Sequence, residues 1–301
     1  MSIAFVFPGQ GSQAVGMGAG LAEAFPAAKA VFDEVDDALG QKLSTLMWEG
    51  PEADLTLTEN AQPALMAVSL AAMRGLETKG FTLPGNVAYV AGHSLGEYSA
   101  LAASGALSLG DTARLLKTRG QVMQAAVPVG EGAMAALLGA DLSQAQELAE
   151  AAAQGDCCQA ANDNAPGQVV ISGKKTAIER AVALAPKFGA RRAVLLPVSA
   201  PFQCALMQPA ADAMAEALCG VTISEPAVPV VANVLAEPIT DPEAIRTRLV
   251  EQVTGMVRWR ETMQFLAGNG VDVVYEVGAG RVLTGMARRL EGVEARSVGT
   301  P

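Results

Sequence analysis

Short apolar runs alternate with stretches rich in alanine, leucine and methionine along this 301-residue chain. Ile3 to Phe7 reads as a strand that Pro8-Gly9 stops, and helical spacing follows through the twenties and thirties and again from Gln62 to Glu77. Val87 to Ala91 is the next strand-like run. The proline-free, alanine-rich stretch Leu95 to Ser104 predicts a helix directly after it, and a second helix from Leu109 to Ala126 should end near Pro128. This rhythm predicts an α/β fold with a mainly parallel sheet.

The pattern changes between about Gly132 and Val198. Strand, helix, strand, strand, helix and strand are expected at Ala133–Leu138, Ser143–Ala153, Cys157–Ala161, Gln168–Ser172, Lys174–Phe188 and Arg192–Val198. That β-α-β-β-α-β order is the split βαβ unit of ferredoxin-like domains. A subdomain over 129–198 is therefore expected, inserted between two parts of a larger domain, 1–128 and 199–301. Pro128-Val129-Gly130 and the segment Pro197 to Pro201 flank it. Afterwards α/β character returns, with a buried strand at Val271 to Val277 and a Gly278-Ala279-Gly280 turn into a last helix.

Hydrophobic residues make up 50% of the chain, enough for a substantial core. No apolar run approaches the roughly 18 to 20 residues that span a bilayer, and no basic segment followed by a long apolar run opens the chain. A cytoplasmic location with no membrane association is expected. The net charge of −10 argues against a nucleic-acid surface, which must neutralise phosphates. Arg191-Arg192 and Arg288-Arg289 are the local basic pairs, and such pairs are usually solvated surface. Cys157, Cys158, Cys204 and Cys219 lack C-x-x-C spacing, so buried or indifferent thiols are expected rather than a metal or redox site.

Gly92-His93-Ser94-Leu95-Gly96 carries the chemistry. A G-x-S-x-G turn between a strand and a helix exposes the serine hydroxyl and aims the first helical N–H groups at a developing oxyanion. Ser94 is the candidate nucleophile; a merely structural turn is the alternative. The chain contains a single histidine, His93, beside the serine. Neighbouring side chains on a strand project to opposite sides, so His93 is read as structural or substrate-contacting and not as the base of Ser94. A Ser-His-Asp triad cannot then be assembled, which weighs against a plain esterase.

Six stretches occur in order: FVFPGQGSQAVGMG from Phe5, GHSLGEYSALAASGALSL from Gly92, TRGQVMQ from Thr118, NDNAPGQVVISG from Asn162, APFQCALMQPAA from Ala200 and YEVGAGRVLTGM from Tyr275. Together they resemble the malonyl-CoA:acyl carrier protein transacylases over essentially the whole chain. The resemblance implies an α/β-hydrolase-like core with a ferredoxin-like insertion. It implies that Ser94 is acylated by malonyl-CoA and passes the malonyl group to the phosphopantetheine thiol of holo acyl carrier protein, with no cofactor or metal. It places the oxyanion hole at the backbone N–H groups of Gln10 and Leu95, donors typically contributing about 10² to 10³ in rate. Arg119 would hold the malonyl carboxylate, which a guanidinium fork matches better than an ammonium. Without the resemblance Arg119 would read as a solvated or capping residue near a helix end.

The family's base is a histidine, oriented by a backbone carbonyl that maps to Gln252. Here Ser199-Ala200-Pro201-Phe202-Gln203-Cys204-Ala205-Leu206-Met207 puts Gln203 at the base position. Phe202 just before it resembles the malonyl-selective form of the segment. An amide donates and accepts hydrogen bonds but has no lone pair basic enough to take a proton near neutral pH, and general base catalysis is typically worth about 10² to 10⁴. A transacylase of strongly impaired activity is expected, and the intact surroundings are more consistent with one deliberate histidine replacement than with decay. The competing readings are a catalytically dead carrier- or CoA-binding protein, a serine esterase-like hydrolase, and a transacylase for another acyl group or for polyketide assembly. A monomer with acyl carrier protein as its partner is expected.

Overall fold

The protein is described by a computed structural model that covers residues 2–85, 87–290 and 292–301. In chain order its first half runs β1 (Ile3–Phe7), α1 (Ala19–Ala24), α2 (Pro26–Leu39), α3 (Leu43–Glu49), α4 (Glu52–Thr56), α5 (Thr58–Thr78), β2 (Val87–Gly92), α6 (Gly96–Ala103) and α7 (Leu109–Ala125). Next come β3 (Gly132–Leu138), α8 (Leu142–Ala153), β4 (Cys158–Ala165), β5 (Gln168–Lys174), α9 (Lys175–Leu184) and β6 (Arg192–Leu195). The remainder comprises α10 (Gln208–Cys219), β7 (Val230–Val231), β8 (Pro238–Ile239), α11 (Pro242–Thr254), α12 (Trp259–Gly268), β9 (Val273–Val277), α13 (Val282–Ala287) and β10 (Glu294–Val298).

Among the described residues the strands form two sheets. The larger has the order β10-β9-β1-β2-β7-β8, parallel except at the β7–β8 edge. β1 lies at its centre and all five of its residues are buried, which is why it reads as an unbroken apolar run: a parallel strand covered on both faces needs no polar side. Phe5 and Phe7 point into a core with Phe32, Leu65 and Tyr98, while Ala4 and Val6 point the other way, to Trp259, Leu266 and Val274. Since β1 and β2 are parallel and Phe7 pairs with Gly92, the loop after β1 and the turn after β2 emerge side by side. The C-terminal edge of an open parallel sheet is where such folds place their ligands.

The smaller sheet is antiparallel in the order β4-β5-β3-β6. Its helices α8 and α9 cover one face with a core of its own, including Leu137, Leu148, Ile171 and Ile178. A capping box starts α8, in which Asp141 accepts from the Gln144 N–H and Gln144 reaches back to the Asp141 N–H. On the opposite face Met134, Ala161 and Val170 pack with Leu196, Val198 and Phe202. That second apolar face turns toward the first sheet, so the two sheets enclose a cleft.

Several expected boundaries shift for identifiable reasons. α5 begins at Thr58 rather than Gln62, with Pro63 held inside its second turn although proline favours a helix start there. β6 ends at Leu195 rather than Val198, because Pro197 has no N–H for a ladder; the Leu196 N–H still reaches the Met134 carbonyl before the chain leaves the sheet. The expected helix from Lys174 to Phe188 closes as a 3₁₀ turn over Ala185–Phe188. α3, α4, β7, β8 and β10 were not expected; β7 and β8 are two residues each, too short to show a period.

Close approach of α6 to β1 fixes the edge where the cleft opens. A methyl group on Gly96 would lie 2.2 Å from the Phe7 carbonyl oxygen, and one on Gly92 1.9 Å from the Gly96 backbone. Gly96→Ala should therefore lower stability by about 3 kcal/mol, the upper end of ordinary overpacking, despite alanine's better helix propensity. Gly268→Ala, at the end of α12 where a methyl meets nothing within 4 Å, should be neutral or slightly stabilising. Urea denaturation of the two variants checks both expectations.

Candidate active site

The chain turns from β2 into α6 at Ser94, whose φ of 52° lies in the left-handed region. For an L-residue this conformation costs roughly 1–2 kcal/mol, so the surroundings must hold it. The His93 N–H donates to the Phe7 carbonyl at 3.0 Å, and the N–H groups of Gly96 and Glu97 donate to the carbonyls of His93 and Ser94. Asn233, fully buried in the loop after β7, clamps the turn from the far side. Its Oδ1 accepts from the Ser94 N–H at 2.8 Å and its Nδ2 donates to the Gly92 carbonyl at 2.6 Å.

The Ser94 hydroxyl sits between two side chains. It donates to Oε1 of Gln203 at 2.7 Å and accepts from Nη2 of Arg119 at 3.1 Å. Gln203 also has a positive φ, 58°, and is buried. Its Nε2 donates to the backbone carbonyl of Gln252 and, at 3.1 Å, to that of Gly255. Its two amide hydrogens are therefore both spent on carbonyls, which leaves Oε1 to face the serine.

Arg119 projects from α7 and is 1% exposed, not the solvated helix-end residue that its position alone suggested. Nη1 donates to Oε1 of Gln62 at 2.8 Å and Nη2 to Oε1 of Gln252 at 2.9 Å. Its guanidinium stands 5.7 Å from the Tyr98 ring centroid, within cation–π range. Burial lowers its pKa, opposed by the Tyr98 and Glu97 charges, yet a guanidinium stays protonated at any working pH. Among the described residues its Nε has no hydrogen-bond partner.

Glu97, in the first turn of α6 and 2% exposed, accepts at Oε2 from Nε2 of Gln252 at 2.6 Å and from the Asn233 N–H at 3.3 Å. Gln252 Nε2 also donates to the Ser94 carbonyl at 3.0 Å. Burial raises the Glu97 carboxyl to about 7, although these donors and the Arg119 charge pull it down. His93 contacts Asn164 instead of the serine, Nε2 to Oδ1 at 2.8 Å, and its ring lies against Trp259. Burial lowers its pKa against the pull of Asn164, so the ring is neutral near pH 7.

A cleft of about 520 Å³ opens over this network, lined among others by Gln10, Ser94, Leu95, Arg119, Phe202 and Gln203. His93 lines it too, and Gln252 stands directly behind. Gln10, His93, Ser94, Leu95, Arg119, Phe202, Gln203 and Gln252, the site residues expected from the sequence, thus meet at one place. Asn233, Glu97, Gln62 and Asn164 were missed. Glu97 could pass for an ordinary acidic residue in a first helical turn, and Asn233 lies in a loop with no motif around it.

A serine on a strained strand-to-helix turn, facing a deep cleft with a buried cation beside its hydroxyl, fits proteins that carry an acyl group as a serine ester. Residues 4–298 match the acyl transferase domain family. The malonyl CoA-acyl carrier protein transacylase of Salmonella typhimurium is 47% identical over 287 residues, which is 95% of this chain and 92% of that protein. The crystal structure of the acyl-carrier-protein S-malonyltransferase from Bartonella henselae superposes with a TM-score of 0.97 at 58% identity, covering 100% of this chain and 96% of that one. A malonyl-transacylase in complex with its type II polyketide acyl carrier protein matches at a TM-score of 0.96 and 44% identity, covering 100% and 97%. The chain belongs to the malonyl-CoA:acyl carrier protein transacylase family.

The raised pKa of Glu97 has a thermodynamic signature. A carboxyl whose folded pKa of about 7 exceeds its ordinary 4.5 is held protonated by the fold, so its contribution is present below pH 4.5 and is lost as pH rises to about 7. The loss is on the order of 3 kcal/mol. Glu97→Gln, which keeps an acceptor toward Gln252 and Asn233, should remove this slope. Urea unfolding of both proteins at pH 5 and pH 8 should show wild type losing more stability across that interval than the variant; equal losses would place the Glu97 titration elsewhere.

Proposed function

We propose that this chain transfers malonyl groups from malonyl-CoA to the phosphopantetheine thiol of acyl carrier protein through an acyl-Ser94 ester, and that Gln203 makes the transfer slow. The observation that carries both halves is the contact of Ser94 Oγ with Gln203 Oε1 on one side and Arg119 Nη2 on the other. On the side where a base would stand, the hydroxyl meets a neutral amide.

In the first half-reaction Oγ attacks the thioester carbonyl, and the oxyanion is received by the N–H groups of Gln10 and Leu95 at the cleft edge. The Ser94 N–H is not available for this, since Asn233 occupies it. Collapse expels CoA and leaves malonyl on Oγ. In the second half the phosphopantetheine thiol attacks the ester, and Ser94 returns as the leaving group. The malonyl carboxylate meets Arg119, which can exchange the neutral oxygens of Gln62, Gln252 and Ser94 for a charged bidentate partner. Phe202 and the subdomain face behind it bound the space around the acyl chain.

Each half-reaction requires a proton to leave the attacking hydroxyl or thiol. An imidazole at position 203, held by the Gln252 carbonyl through one nitrogen, would present the other nitrogen as a base toward Oγ. The amide reproduces that pair of hydrogen bonds and cannot accept the proton. Turnover then relies on the small fraction of hydroxyl that loses its proton to water, and the acyl-enzyme, once formed, is discharged slowly for the same reason.

Gln203→His should raise the rate of malonyl transfer to holo acyl carrier protein by at least about 10², within the range of general base catalysis. Intact-mass measurement of malonyl-Ser94 formation and discharge reads both half-reactions; an unchanged rate would place the base elsewhere. Arg119→Ala should reduce the preference for malonyl-CoA over acetyl-CoA by at least about tenfold, the order of one charge-assisted hydrogen-bond pair. Initial loading rates with the two substrates check it.

A further inference from the structure

Glu97 and Arg119 are both buried at the site, and Gln252 is buried between them. The amide is held one way round. Its Oε1 accepts from Arg119 Nη2 at 2.9 Å, while Nε2 spends its two hydrogens on the Ser94 carbonyl at 3.0 Å and on Oε2 of Glu97 at 2.6 Å. A flipped amide would set hydrogens against the guanidinium and an oxygen against a carbonyl, so the order cation, amide, carboxyl is fixed. The Asn233 N–H also falls on Oε2, at 3.3 Å. Oε1 of Glu97 is thus the oxygen that takes a proton, and the carboxyl gains or loses its charge without giving up either hydrogen bond.

We propose that the charge state of Glu97 sets how strongly Arg119 holds a ligand carboxylate, so that near neutral pH a malonyl donor is bound together with a proton and an acetyl donor is not. The inference rests on the transferase reading, in which that carboxylate belongs to the malonyl group. Glu97 touches no ligand; it positions Gln252 and supplies or withholds a charge. With Glu97 neutral, the guanidinium is unopposed and a bound carboxylate completes a neutral pair. With Glu97 ionised, the network is already neutral, and the same carboxylate leaves a buried net negative charge, which a low-dielectric interior disfavours. Reciprocity then requires the bound carboxylate to make Glu97 harder to ionise. Affinity for the malonyl donor is therefore full at low pH and falls as pH rises through the range in which Glu97 ionises.

Among the described residues, the other ionisable groups around this network keep their charge near neutral pH or lie apart from it. Tyr98, beside Glu97 on α6, is held neutral because burial raises it to about 12. β1 and β7, packed against α6, have no ionisable side chain. α5 turns Glu59 toward Gln121 and Lys117, and Arg74 toward Glu77, at the surface. Asp111 and Arg114 of α7 pair there, as do Arg248 and Glu251 of α11. Tyr89 of β2 packs on Phe265, and His93 turns to Asn164 and is kept neutral by burial. Glu97 is the group that changes charge here, since burial raises its carboxyl to about 7.

The test is calorimetric titration of the full chain carrying Ser94→Ala, which forms no acyl ester, with malonyl-CoA and acetyl-CoA at pH 6 and pH 8. The two donors share the nucleotide and its phosphates and differ in the carboxylate, so the ratio of their affinities isolates it. That ratio should fall at least about fivefold from pH 6 to pH 8, the change expected when the bound carboxylate makes Glu97 about ten times harder to ionise. Titrations at pH 7.5 in buffers of different ionisation enthalpy should show about half a proton more taken up with malonyl-CoA than with acetyl-CoA. Adding Glu97→Gln, which keeps an acceptor toward Gln252, should remove both the fall and the uptake. In the chain with Ser94 intact, the malonyl-to-acetyl ratio of kcat/KM for loading Ser94 should fall by the same factor, which reads the linkage without either substitution. A ratio constant with pH, equal uptake for the two donors, or a fall that persists in Glu97→Gln would overturn the proposal while leaving the transferase reading in place. Equal affinity for the two donors at pH 6 would instead show that the carboxylate does not reach Arg119, and would count against that reading and this inference together.

Discussion

The constraint on which this protein is built is the change of direction at Gly92 to Gly96, where a buried parallel strand becomes a helix without an intervening loop. The turn is possible only because Gly92 and Gly96 lack side chains at points where a methyl would overlap backbone. It leaves Ser94 at a positive φ that it would not adopt alone. Both consequences serve the same end, since a residue forced out of the strand direction at a sheet's C-terminal edge has nowhere to point but the cleft. Asn233 then converts a strained turn into a fixed one by satisfying the Gly92 carbonyl and the Ser94 N–H together.

Behind the turn, charge is distributed through amides. Arg119 and Glu97 are both buried, yet neither touches the other; Gln252 accepts from the guanidinium at Oε1 and donates to the carboxylate at Nε2. A direct ion pair would saturate Arg119 and oppose the carboxylate-binding role proposed for it. With neutral oxygens around it, the guanidinium is held in place while keeping affinity for an anion, because a charged acceptor is the stronger partner. The buried carboxyl balances part of that charge across the amide, at the cost of a raised pKa. Gln252 consequently does three things at once: it orients residue 203 by its carbonyl, steadies the Ser94 carbonyl, and separates the two charges.

How much of this could be read from the chain depends on the length over which a feature is encoded. β1 and the strand-helix pair around Ser94 announce themselves through continuous apolar runs and fixed glycines, and the order of strands in the small sheet follows from its alternation of periods. β7 and β8 have no such signal, and neither does Asn233, which acts through a single buried side chain 139 residues from its target. The burial of Arg119 is also invisible in α7, whose other basic residues, Arg114 and Lys117, pair near the surface. Ser94 and Gln203 were legible through the motifs around them; side chains that act by meeting a distant partner were not, even Glu97 and Asn164, which lie inside such motifs.

The glutamine at position 203 is instructive because every hydrogen bond around it is satisfied. Both Nε2 hydrogens find carbonyls and Oε1 accepts from the nucleophile, so nothing in the geometry marks the site as defective. Position 203 holds its residue at a positive φ within a buried turn, a conformation that costs an L-residue roughly 1–2 kcal/mol. The backbone holds residue 203 where its side chain reaches Ser94 while the Gln252 carbonyl grips it. Geometry and basicity are separable requirements of such a position. Under the proposed transfer mechanism this chain meets the first with an amide and lacks the second, and the distinction is visible only in the acidity of the group, not in any distance.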